Sequence, residues 1–191
     1  MAMADRLKQL MKGGLPVDLP LTLRPEILTR PPIVRPLYGV APRVVMGPKW
    51  WYETRQAAYL STTYRCLACG VHKYLAKGPK WLEGHELYDV DWERGTSAYV
   101  ETVPLCHYCH NYCHPGRMDA MLEQGRMPQY KYVAILLHGD DILRRAGLTR
   151  QTYDGPFAPW KEWRMVVNGQ KYKPLYKDEE ACERAMRKKM R

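Results

Sequence analysis

The chain has 191 residues, 46% of them hydrophobic and 26% charged, with 30 lysines and arginines against 20 acidic residues and a formal charge of +10. That composition is too apolar for a wholly disordered chain, and the length is short for two full domains, so one main folded domain is expected. The positive excess favours polyanions such as nucleic acid as partners. No apolar run approaches the roughly 20 residues that a bilayer span needs, and no signal-like apolar stretch opens the chain, which predicts a cytoplasmic protein with no membrane partner.

Residues 1–12 carry Leu7, Leu10 and Met11 at helical spacing before Gly13 and Gly14, predicting a short amphipathic docking helix. Eight of the fifteen prolines then fall between Pro16 and Pro48. Each removes a backbone donor and disfavours helix before its ring, so this stretch reads as an extended arm. Its Leu21, Ile27, Ile33, Val34 and Leu37 call for burial, on the domain itself or on a protein partner.

The segment Trp50 to Tyr59 places Trp51, Arg55, Ala58 and Tyr59 near one side of a helix. Trp81 to Trp92 and Ala98 to Val103 read as strands flanking Arg94-Gly95-Thr96, a β-hairpin. Leu105 to His114 follows as a helix with two histidines four apart on one face. Helices are expected over Arg117 to Gln124 and Asp141 to Ala146, a strand over Lys161 to Val167, and a turn at Asn168-Gly169. Asp178 caps a last helix that begins with Glu179 and Glu180 and ends with Arg184, Arg187, Lys188, Lys189 and Arg191, an order suited to the helix dipole. Three segments result: a helix and proline-rich arm over 1–49, a metal-binding core over 50–120, and a basic extension over 121–191 packed on that core. From Gly116 onward there are 16 basic and 10 acidic residues, against 5 and 6 between Ser61 and Pro115, so the positive field lies on the flanks of the core.

Cys66-Leu67-Ala68-Cys69 and Cys106-His107-Tyr108-Cys109 are two CxxC pairs separated by 36 residues. Each pair lets two thiolates converge on one ion, and the two pairs together supply four sulfur ligands for tetrahedral Zn²⁺. A redox CxxC explains either pair alone but leaves the other unused, and disulfides fit a secreted chain better than this one. A closed Cys₄ site has no open coordination position, so this zinc is expected to staple the fold while chemistry is done elsewhere. Cys113 and Cys182 are left over and are expected to be buried. His72, His107 and His138 receive no role.

Taken together, CLACG, LEGHE, YDVD and PLCHYCHNYCH resemble the HNH, or His-Me finger, endonucleases over about residues 50–120. The resemblance implies an α+β fold: a zinc-stapled ββα-metal (HNH-like) core, with the extended proline-rich arm before it and helical C-terminal elements after it. It implies that His85 on the first strand, with His110 and His114 of the following helix, holds a catalytic divalent ion such as Mg²⁺, Mn²⁺, Ni²⁺ or Zn²⁺. Glu86 stands where the family has the histidine that acts as general base, and Glu101 where it commonly has the asparagine that orients that base. Strict strand alternation puts His85, Leu87, Asp89 and Asp91 on one face, so an aspartate either joins the metal site or lies in solvent beside the turn. The implied activity is hydrolysis of phosphodiester bonds in nucleic acid, DNA by resemblance. Arg144, Arg145, Arg184, Arg187, Lys188 and Lys189 would neutralise backbone phosphates. The departures at Glu86 and Glu101 favour an alternative, an inactive zinc-binding module that binds nucleic acid or docks into a larger assembly.

Overall fold

Short helical turns, not extended chain, open the described part of the computed structural model, which covers residues 21–150 and 152–189, with side chains as far as 188. The helix expected over residues 1–12 lies outside these residues. In the arm, 3-10 turns form at Pro25–Thr29 and Arg35–Leu37, and helix α1 at Pro42–Val45, each with proline in its first two positions. In its described part the arm is therefore extended only between these turns. Proline blocks a helix interior but suits its first turn, where the missing N–H would have had no partner. Ile27, Leu28 and Leu37 are fully buried, so the described arm is covered by its own domain.

The fold is mixed α+β. Helix α2 (Gly47–Ser61) packs on a hairpin of β1 (Glu83–Asp91) and β2 (Thr96–Leu105). Strand β3 (Arg164–Val167) lies parallel to β2, and β4 (Gln170–Tyr172) antiparallel to β3, giving the order β1-β2-β3-β4. The β3–β4 turn is made by Asn168 and Gly169 with φ of 50° and 79°, the left-handed pair that a tight hairpin requires. The expected strand from Lys161 is shorter because Trp160–Glu162 form a 3-10 turn, held by the Trp160 indole N–H donating to the Tyr176 carbonyl at 2.8 Å.

In the hairpin, Glu83 pairs with Leu105 and Asp91 with Thr96, but the register slips between Leu87 and Tyr88. His85, Glu86, Leu87 and Tyr88 are all buried, whereas Asp89 and Asp91 are exposed. The unpaired residue is Val100 on β2, so β1 keeps its alternation, with Tyr88 on the side of Glu86; β1 is buried on both faces as far as Tyr88, and the aspartates lie beyond that cover. Asp91 instead accepts from the Arg94 amide at 2.9 Å, within the turn.

Four more α-helices complete the described chain: α3 (His107–Tyr112), α4 (Pro115–Glu123), α5 (Gln129–Arg145) and α6 (Glu179–Lys189). The helix expected over Leu105 to His114 is narrower at both ends. Leu105 finishes β2, and Pro115 forces His114 out of the helical region, to φ −120° and ψ 62°. Helix α5 begins twelve residues before the expected Asp141, its pattern broken by Gly139. A Cβ on Gly139 would lie 2.1 Å from the Tyr112 ring, so the glycine is what lets α3 and α5 touch. Gly139→Ala should therefore reverse the usual propensity gain of about 1 kcal/mol and destabilise by about 1–3 kcal/mol through overpacking. A lowered denaturant midpoint at unchanged slope is the expected reading. Asp178 caps α6 as expected, accepting from the Ala181 amide at 2.8 Å.

Two buried clusters result. One gathers Ile27, Leu87, Val103, Leu105, Met118 and Ile135 around four of the cysteines; the other gathers Val34, Leu37, Tyr88, Trp163, Met165 and Val167. Each takes side chains from all three segments of the chain. Among the described residues, no helix is long and apolar enough to cross a membrane.

Candidate metal centre

The first cysteine pair is delivered by a tight turn after α2, in which Thr63 and Tyr64 take positive φ of 50° and 58°. The Cys66 amide donates to the Val71 carbonyl at 2.9 Å and the Gly70 amide to the Cys66 carbonyl at 2.8 Å, folding the backbone under the sulfurs. The Leu67 amide donates to the Pro104 carbonyl at 2.9 Å, which fixes this turn against the end of β2 where Cys106 begins. The four sulfurs of Cys66, Cys69, Cys106 and Cys109 consequently lie within 4.8 Å of one another. None of the six cysteines is in a disulfide, and the two left over, Cys113 and Cys182, are buried. Four cysteines so gathered could bind a metal such as zinc.

Their mutual effect supports that chemistry. Hydrogen bonds from Cys109, then Cys66 and Cys69, hold the Cys106 thiol far below its ordinary range, while donation to Cys106 pushes Cys109 well above it. One thiolate is easily formed here, but four need a cation among them. The Nε2 atom of His138 on α5 lies 3.5 Å from the Cys109 sulfur, the position of an outer donor to a thiolate. No spacing or motif singles it out.

The histidines form the second cluster. One ring nitrogen from each of His85, His110 and His114 falls within 4.8 Å of the other two, with ring centroids 4.8 to 5.5 Å apart. Burial first, then the neighbouring His110 and Arg43, depresses His85 to about 3, and burial with the other two imidazoles depresses His114 to about 2. Both are neutral at pH 7 and able to act as ligands. Nε2 of His85 is buried without a hydrogen-bond partner, an orphan that a divalent ion would satisfy, so the donor set fits such an ion.

Glu83, two residues before His85, supports this cluster from behind. Its Oε1 lies 2.7 Å from Nδ1 of His107, and its Oε2 lies 2.8 Å from Nδ1 of His110, though off the line of a ring hydrogen bond. Burial opposes its charge, but His107 and His110 outweigh it and hold the carboxyl well below the ordinary range. The Asn111 side chain donates to the His107 carbonyl at 2.7 Å and does not face the imidazole cluster.

His85, Glu86, His110 and His114 share a cleft of about 680 Å³ with Arg43 and Arg117. Glu86 is only 3% exposed, and its oxygens accept from the Arg43 guanidinium, from the Arg43 amide at 2.9 Å and from the Tyr88 hydroxyl at 3.0 Å. An arginine, an amide and a phenol thus occupy the carboxylate at the base position. Glu101 faces the other way and pairs with Arg24 at 2.5 Å.

Comparison with protein-family models, with curated proteins and with solved structures found no match. The site is read from its own geometry. Of the residues expected to meet phosphate, Arg144 and Arg145 each pair with Asp141 at 2.6 Å, Arg184 pairs with Glu180, and Arg187 with Glu183 at 3.6 Å. Lys188 is exposed, and the Lys189 side chain lies outside the described ones. Among the described side chains, none of these lines the histidine cleft, whose described cations are Arg43 and Arg117.

Acid should expose the burial of the imidazoles. His85 and His114 resist protonation in the folded state, whereas in the unfolded chain they take protons near the free-histidine value of about 6.5. Their stability contribution is thus complete above about 6.5 and is lost as pH falls from there toward about 2 to 3. Thermal unfolding across that range should show a steeper decline for the wild type than for His114→Gln, which lacks one of the two groups.

Proposed function

We propose that the protein is a metal-dependent endonuclease of the HNH, or His-Me finger, kind. Cys66, Cys69, Cys106 and Cys109 hold a structural zinc, and His85, His110 and His114 hold a second divalent ion. The observation that carries the reading is the meeting of three imidazoles, two of them held neutral, in one cleft with two arginines. Such an ion would stabilise the negative charge that develops on a phosphoryl oxygen during hydrolysis. Arg43 and Arg117 attract and orient the phosphate, and Glu83 keeps His110 and His107 in place. Glu86 takes a proton from the attacking water once Arg43 turns from it to the phosphate. Flanking cations, Arg144, Arg145, Arg184, Arg187, Lys188 and Lys189 among them, contact the backbone of nucleic acid, DNA by resemblance. Supercoiled plasmid incubated with the untagged protein and Mg²⁺, Mn²⁺, Ni²⁺ or Zn²⁺ should yield open circles; no product with any of the four would end this reading.

The hold of Arg43 and Tyr88 on Glu86 favours a second reading, a zinc-binding module on the same scaffold that binds nucleic acid without cutting it. It predicts retained binding and no cleavage in the same experiment.

A further inference from the structure

The chain between Arg65 and Glu83 contains Lys73, Lys77 and Lys80 and no acidic residue. It leaves the first cysteine pair through a 3-10 turn at Lys73–Leu75 and leads into β1. Tyr74, Leu75 and Trp81 project from it with relative exposures of 64%, 76% and 59%. Large rings are normally withdrawn from water unless something covers them, and here three lysines share the same short stretch of chain. The Lys73 ammonium lies 4.0 Å from the Tyr64 ring centre and 4.9 Å from that of Tyr74. Lys77 lies 5.9 Å from the Tyr108 ring, and Lys80 donates to the Ala76 carbonyl at 2.7 Å.

Among the described residues, none of these three lysines has a carboxylate within ion-pair distance, unlike Arg144, Arg145, Arg184 and Arg187. The charge is therefore free for an outside anion. The loop is also anchored: Ala76 is buried, and a Cβ at Gly78 would touch the His107 ring at 3.4 Å. Since His107 bonds Glu83, this surface borders the helix that carries His110.

We infer that this loop is a binding site for an unpaired nucleic-acid strand, in which Tyr74 and Trp81 stack on bases and Lys73, Lys77 and Lys80 neutralise phosphates. Exposed rings need exposed base faces, which a duplex keeps inside its stack, so single strands are the preferred occupant. The inference rests on the proposed reading only in taking nucleic acid as the substrate class; it does not need cleavage.

Fluorescence anisotropy with a short labelled single strand, and with the same strand in a duplex, tests it. The wild type should bind the single strand more tightly. Tyr74→Ala and Trp81→Ala should each weaken that binding roughly tenfold, while Tyr74→Phe and Trp81→Phe restore it. Lys77→Gln and Lys80→Gln should each lower the slope of log affinity against log salt by about 0.7. Equal affinity for duplex, or unchanged affinity in the ring variants, would overturn the inference. So would binding to phosphatidylserine vesicles with none to the oligonucleotide. Single-strand binding by a protein that nicks no plasmid supports this site and removes only the endonuclease.

Discussion

Cys106→Ser is expected to release zinc and abolish cooperative unfolding. Structural zinc contributes about 10–16 kcal/mol of apparent folding free energy in small zinc domains, as much as the whole stability of a typical domain, about 5–15 kcal/mol. In this chain the cage joins the turn after α2 to the junction of β2 and α3, and Cys66, Cys106 and Cys109 themselves lie in the first buried cluster. Without the ion their sulfurs are crowded within 4.8 Å with no cation to balance thiolate charge. Cys113 is the control. It is buried and its thiol is pushed up to about 12, chiefly by burial, so it behaves as a small apolar side chain and not as a ligand. Cys113→Ser should keep zinc and lose about 1–3 kcal/mol for the buried hydroxyl. Metal content and thermal circular dichroism of the two variants decide the matter. A cooperatively folded, metal-free Cys106→Ser protein with wild-type stability would refute the structural role.

The parts of the site legible in the sequence are those tied to short spacings. Each CxxC pair fixes its two sulfurs within a single turn, and His110 and His114 are four residues apart, so the members of each pair lie near one another whatever the rest of the chain does. The hairpin was legible from turn chemistry at Arg94-Gly95-Thr96, and the last helix from Asp178. What was not legible depends on the remote chain or on local breaks of periodicity. The arm forms 3-10 turns because prolines open them, a role that donor counting alone overlooks. Four residues of β1 are buried in a row because the strand is covered on both faces, Leu87 by the first cluster and Tyr88 by the second, and no alternation in the sequence announces it. Glu83 was within reach, since it lies two residues before His85 and strand period places both on one side. Arg43 was not: it reaches Glu86 across 43 residues, and no motif marks it. The same distance separates a charge count from a charge map, for four of the six cations placed on the C-terminal helices have acidic neighbours one turn away.

His85→Ala is expected to bring metal-dependent nicking to background, a loss on the order of a thousandfold, while the zinc remains in its cage. The magnitude follows from the several kcal/mol of charge stabilisation that a correctly held divalent ion supplies to phosphoryl chemistry. His85 is the residue to change because its Nε2 is buried with no partner in the protein, so its removal strips a ligand without breaking a hydrogen bond. Measured without added divalent ion, the cost of the small cavity is offset by relief of an unsatisfied polar atom, and the unfolding midpoint should move little. Glu86→Gln then separates the two readings of the cleft. A carboxylate that accepts the proton of the attacking water loses most of its rate in this variant and the rise of rate with pH with it. One that serves only to hold Arg43 keeps its pH profile and weakens substrate binding instead, because the glutamine oxygen still accepts from the Arg43 amide while its Nε2 donates to the Tyr88 hydroxyl. Nicking by His85→Ala at the wild-type rate would remove the histidine cluster from the chemistry, whatever Glu86 does.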